Sequence, residues 1–131
     1  MLGVRSLESG SENNAVDKFN FENLSVYQKA LNFVNVVYYV TAKYPNDERF
    51  ALIDQFRRAA ISVALNIAEG YGLSKPGFRR YLNIAKGSIR ESVAIITLSK
   101  SRGYMDCKTE AKLRQYCIEI AKMLSGLISK L

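Results

Sequence analysis

Residues 57–72, RRAAISVALNIAEGYG, decide the reading of the fold. Two arginines open the stretch, small and branched apolar residues fill it, and Asn66 and Glu69 stand near its end, just before Gly70 and Gly72. Apolar side chains recur at three- and four-residue intervals from Phe50 through Ile53, Phe56, Ala60, Val63, Ala64 and Ile67, which is the period of a helix burying one face. Asn46 stands where it can cap that helix, and the two glycines where they can end it. A second series shares the helix. Asp54, Arg58, Ser62, Asn66 and Glu69 follow at spacings of four, four, four and three, so they line up as a polar seam. Catalysis by Glu69 needs a partner carboxylate or a nucleophile, and none is near it in sequence. Hydrogen bonding has partners, because the next helix carries Ser88, Glu91 and Ser92, and Arg57 or Arg58 can meet Glu91 if the two helices lie side by side. The seam of Arg58, Ser62, Asn66, Glu69, Ser88 and Glu91 therefore reads as a device that fixes helix register, since leaving such groups unpaired costs about 1–3 kcal/mol each.

Outward from this stretch the chain is helical on both sides. Residues 1–20 are rich in Ser, Gly, Glu and Asn with no sustained period, and read as a mobile tail. A first helix is expected from Asn23 or Ser25 to Lys43, before Pro45, with Ser25 and Gln28 at capping-box spacing. Its apolar residues, Val26 to Val40, cover an arc of about 220°, well beyond the roughly 100° stripe of one buried face. Ser74 is placed to cap a third helix, with Pro76 in its first turn, Leu73 and Phe78 as a hydrophobic staple, and its end at Arg102 before Gly103. Asp106 caps a fourth, whose Leu113, Cys117, Ile120, Ala121, Leu124, Leu127 and Leu131 make one stripe. Four helices joined by short turns predict an all-α fold, an antiparallel up-down-up-down four-helix bundle over residues 21–131. Gly87, in mid-helix, marks a place where another helix comes close. The wide arc of helix one, with Ile84, Ile95 and Leu98 on a second apolar side of helix three, predicts self-association.

Composition narrows the function. The 131 residues contain no histidine, which removes the commonest general base, the Ser-His and Cys-His pairs and most zinc and haem sites. No Gly-rich phosphate loop and no acidic ligand cluster takes their place. Cys107 and Cys117 lack a CxxC arrangement and read as reduced thiols. No catalytic residue, metal or cofactor is expected. With no membrane-length apolar run and no signal peptide, the chain is expected to be cytoplasmic and to need no membrane partner.

The net charge of +7 is concentrated. Residues 71–102 hold Lys75, Arg79, Arg80, Lys86, Arg90, Lys100 and Arg102 against Glu91 alone, so this window carries +6. Lys75, Arg79, Lys86 and Arg90 fall within about 60° of one another on the helix, with Asn83 beside them. Such a ridge suits a phosphate backbone. Arg80, adjacent to this ridge, is expected to bind nucleic acid together with Lys75, Arg79, Lys86 and Arg90. Tyr71 and Tyr104 stand near the two ends, where they either stack on bases or pack at the end of the bundle. No base-reading module is present, so recognition is expected through backbone and shape.

FENLSVYQKA (residues 21–30), RRAAISVALNIAEGYG and FRRYLNIAKGSIRES (residues 78–92) resemble the bacterial proteins encoded in intervening sequences of 23S ribosomal RNA genes. The likeness spans about residues 19–129. Its most specific part is NIAEG at residues 66–70, followed by Ala85, Gly87, Ser88 and Glu91. Tyr27 stands where that family commonly has Trp, and Leu73 where a further basic residue often follows the glycine turn. The resemblance implies a helical bundle that assembles into a ring-like homopentamer, and a relationship to accessory proteins of diversity-generating retroelements that bind nucleic acid and a reverse transcriptase. Residues and resemblance together predict a non-enzymatic, oligomeric nucleic-acid-binding protein that prefers RNA. The alternative is an adaptor that docks a partner enzyme such as a reverse transcriptase.

Overall fold

The computed structural model describes residues 16–131. Four helices, α1 (Ser25–Thr41), α2 (Asp54–Tyr71), α3 (Lys75–Ser101) and α4 (Cys107–Ser129), pack around one core, and the described residues include no strand. Phe33, Phe56, Ile67, Leu82, Ile96, Leu113, Ile120 and Leu124 are fully buried, so every helix sends large apolar side chains to the centre. No helix among these residues is long and apolar enough to cross a membrane. Of the expected tail at residues 1–20, the first fifteen positions lie outside the described residues. Residues 16–19 have no regular structure, and a 3-10 turn at Asn20–Asn23 begins the order.

Helix ends follow local chemistry where a short polar side chain can reach the first turn. Ser74 Oγ accepts from the Gly77 amide at 3.3 Å, and Asp106 Oδ1 accepts from the Thr109 amide at 2.7 Å. The second bond holds the Asp106 carboxyl below its ordinary pKa. Gly103, at φ +79°, turns the chain out of α3 in a conformation that favours glycine. Phe78 stacks edge-on with Tyr71 at 5.7 Å, while Leu73 stays half exposed.

The two earlier starts depart from the sequence expectation. α1 begins at Ser25 with Leu24 in the cap position, and the Gln28 amide reaches back to the Glu22 carbonyl at 3.1 Å, so no capping box forms. Asn46 opens a 3-10 turn (Asn46–Glu48), and a π-helical turn (Arg49–Ile53) leads into α2. The π turn has more residues per revolution than the α-helix, so a face extrapolated back from α2 slips out of register. Phe50, expected in the core, is consequently 84% exposed.

Contacts between helices are partly polar. Arg57 Nε donates to Thr41 Oγ1 at 2.9 Å while its guanidinium lies 4.3 Å from the Tyr38 ring centre, tying α2 to the end of α1. Lys29 pairs with Glu119 at 2.6 Å and joins α1 to α4, which draws the Glu119 carboxyl below its ordinary pKa. The core takes Val26, Ala30, Phe33, Val37 and Thr41 from α1, and leaves Leu31, Tyr38 and Tyr39 exposed. On α3, Ile84 and Leu98 are exposed, whereas Ile95 is buried and belongs to the core, not to the outer apolar side where sequence periodicity puts it.

Candidate nucleic-acid interface

α3 meets α2 along short side chains. Asn66 Nδ2 donates to Ser62 Oγ at 2.9 Å and to the Ser62 carbonyl at 2.8 Å. Ser88 Oγ crosses from α3 to Ser62 Oγ at 2.8 Å, and Ser92 Oγ bonds back to the Ser88 carbonyl at 3.0 Å. Further along, Gln55 Nε2 donates to Glu91 Oε2 at 2.8 Å. Ser62, Asn66 and Ser88 are thus brought together, while the expected pairing of Arg57 or Arg58 with Glu91 is replaced. Gln55 is the side chain whose reach ends at Glu91, and Arg57 turns to Thr41 on the other flank of α2. Arg58 and Glu69 are exposed and pair with no described residue. Glu69 therefore stands outside the hydrogen-bonded seam to which sequence spacing assigns it.

Close approach occurs at a glycine of α2. A Cβ on Gly70 falls 2.6 Å from Tyr81 Cβ and 3.1 Å from Phe78 Cδ1, so the absence of a side chain lets α3 come in at this level. Within the protomer no helix comes close at Gly87, whose Cβ meets only Arg90 Nη2 at 3.8 Å. Gly70 lies inside α2, and Gly72 occupies the C-terminal cap position.

The other side of α3 carries the cations. Lys75 and Arg90 are exposed, Arg79 and Lys86 are half-buried, and none forms an ion pair with a described carboxylate. Asn83, in the same row, bonds back to the Arg79 carbonyl at 3.0 Å and leaves the flanking cations free of it. From Lys75 to Arg90 the ridge is about 22 Å long at the rise of an α-helix. Arg80 steps about 100° away from Arg79 and sets its guanidinium 5.7 Å from the Tyr81 ring centre, so it is not part of the row. The tyrosines at the ends pack: Tyr71 lies against Phe78, and Tyr104 stacks on Tyr44 at 5.1 Å and donates to Glu48 Oε2 at 2.6 Å. Tyr104 is thereby held inside the bundle end, whereas Tyr71 keeps about a third of its surface exposed.

One feature of this face is not visible in helical periodicity. Beside Arg90, the α3–α4 junction opens a groove of about 270 Å³ lined by Ile89, Val93, Cys117, Ile118 and Ala121. Ile118 is 48% exposed, although it lies off the core stripe of α4 where a polar residue is usual. That isoleucine off the stripe is the sequence signal of the groove. Cys117 at the bottom is 1% exposed, and desolvation pushes its thiol pKa up to about 12, so it is a neutral, unreactive part of an apolar wall.

Comparison with known proteins agrees with this architecture. No curated protein matches the chain. Among solved structures, a protein of unknown function from the S23 ribosomal protein family of Bacteroides thetaiotaomicron superposes with a TM-score of 0.73 at 25% identity, covering 79% of this chain and 97% of that one. A family model, that of the 23S rRNA-intervening sequence protein, matches residues 22–126, which takes in all four helices almost to their ends. With that span matched and the four-helix fold shared, the chain belongs to the 23S rRNA-intervening sequence protein family.

Proposed function

We propose that this is a non-enzymatic, cytoplasmic, oligomeric nucleic-acid-binding protein that prefers RNA and holds the phosphate backbone on α3. The observation that carries the reading is the row of Lys75, Arg79, Lys86 and Arg90, in line along one helix and unmatched by any described carboxylate. Cations kept for stability are found beside acids, as Lys29 is beside Glu119. Cations without acids are available to an anion. The family's association with ribosomal RNA genes favours RNA over DNA as the ligand. The protomer is read as an up-down-up-down bundle, and the exposed Leu31, Tyr38, Leu65, Ile84 and Leu98 support its closure into a ring, for which the family resemblance suggests five copies. The same exposed side chains, with Phe50, support the second reading, an adaptor that docks a partner enzyme such as a reverse transcriptase.

Salt separates the two readings. Four phosphates neutralised per protomer give log affinity for single strands a slope of about −3 against log salt, multiplied by the number of protomers engaged. Arg79→Gln with Arg90→Gln removes half of the row, so the slope should fall by about half, and affinity should drop equally for unrelated sequences. Absence of RNA binding at low salt, or an unchanged slope in the double variant, gives precedence to the adaptor.

A further inference from the structure

The groove beside Arg90 adds a second kind of contact to the cation row. Ile89 and Cys117 are buried and form its floor, Val93 and Ala121 its half-buried sides, and Ile118 and Arg90 its exposed rim. Apart from Arg90, the lining side chains present carbon and sulfur only. Arg90 therefore belongs to both features, as the last cation of the row and the lip of an apolar recess. A ligand that fits both must carry phosphates in a line and, next to one of them, an apolar planar face. Anionic lipid offers charge over a plane, and an acidic peptide carries no regular run of phosphates. An unpaired nucleic-acid strand carries both elements in every residue, and its exposed bases stack on guanidinium planes and apolar walls. A duplex carries the phosphates but hides the faces of its bases in the stack.

We infer that the α3–α4 groove is a base-holding subsite, so that the ligand of the cation row is single-stranded nucleic acid with one unstacked base seated between Arg90 and Ile118. This rests on the nucleic-acid reading of the row and deepens it. Seating is independent of sequence, because the recess has no hydrogen-bonding group besides the Arg90 guanidinium to read a base edge.

The test uses the full chain and three fluorescent probes about ten nucleotides long, within the usual span of single-strand sites. One is a single-stranded RNA, the second is the same strand annealed to its complement, and the third is an abasic strand with the same number of phosphates. Fluorescence anisotropy at low salt should show the intact strand binding about ten-fold tighter than the abasic strand. Ile118→Ser should abolish that preference while leaving abasic and duplex affinities and the salt slope unchanged, and Ile118→Leu should retain it. Unchanged abasic binding by Ile118→Ser also reports that the variant is folded. Equal affinity of the wild type for intact and abasic strands overturns the subsite while leaving the cation row in place. So does a preference that survives Ile118→Ser, or an Ile118→Ser variant whose sedimentation coefficient falls, which would make the groove a contact between copies. If none of the probes binds, the row itself is not a phosphate site and the subsite falls with it.

Discussion

The two polar sides of α3 are built from different side chains and do different things. Toward α2 the helix presents Ser88 and Ser92, both buried, and their hydroxyls bond within the seam at 2.8 and 3.0 Å. Away from the core it presents Lys75, Arg79, Lys86 and Arg90, which reach into solvent without a described acid to meet them. Short polar groups allow backbones to come near and are satisfied inside the protein. Long cations hold the neighbouring surface open and are left for something outside it. The glycines divide in the same way: Gly70 sits on the packed side against Tyr81, and Gly87 sits on the open side under Arg90. A polar residue on a helix is thus assigned to folding or to binding by what its neighbours leave unsatisfied, not by its own type.

The contrast can be broken most directly at Gly70. Gly70→Ala puts a methyl 2.6 Å from Tyr81 Cβ, an atom close to the backbone that cannot swing aside, so helix packing must give way. We expect a loss of about 3 kcal/mol in urea-induced unfolding, the upper range for overpacking. An unchanged midpoint would mean that α2 and α3 are not closely packed at this level. Ser62→Ala comes next. It removes the shared acceptor of Asn66 and Ser88. Asn66 keeps the Ser62 carbonyl, so the expected loss is about 1 kcal/mol, and a loss below the error of the measurement would reduce the seam to a surface feature.

On the open side the signs differ. Gly87→Ala meets only ordinary contact with Arg90 and should raise stability by about 0.7 kcal/mol through helix propensity, read as a higher melting temperature. Destabilisation by this change would indicate a neighbour over Gly87, such as a second copy. The smallest effects belong to exposed charges. Glu69→Gln and Arg79→Gln should each leave the unfolding free energy within about 0.5 kcal/mol of the parent, and only Arg79→Gln should weaken RNA binding. If Glu69→Gln destabilises the protein by more than that, the seam extends further along α2 than the hydrogen bonds indicate.

Much of the molecule is determined by sequence alone, because the deciding interactions are local. The caps at Ser74 and Asp106 lie within three residues of the amides they satisfy, Gly103 supplies its own left-handed turn, and Leu113, Cys117, Ile120 and Leu124 keep the helical period that buries them. The cation row is legible for the same reason, since spacing on a single helix fixes which side chains share a face. The features that depend on packing involve two helices at once. Periodicity could not say that Glu91 would meet Gln55, or that Gly70 and not Gly87 would receive a neighbour, because the axial offset between α2 and α3 is set by their packing. Nor could it carry a face through the π turn that exposes Phe50, or find the groove at Arg90 and Ile118, whose walls lie on different helices and adjoin only when α3 and α4 are packed.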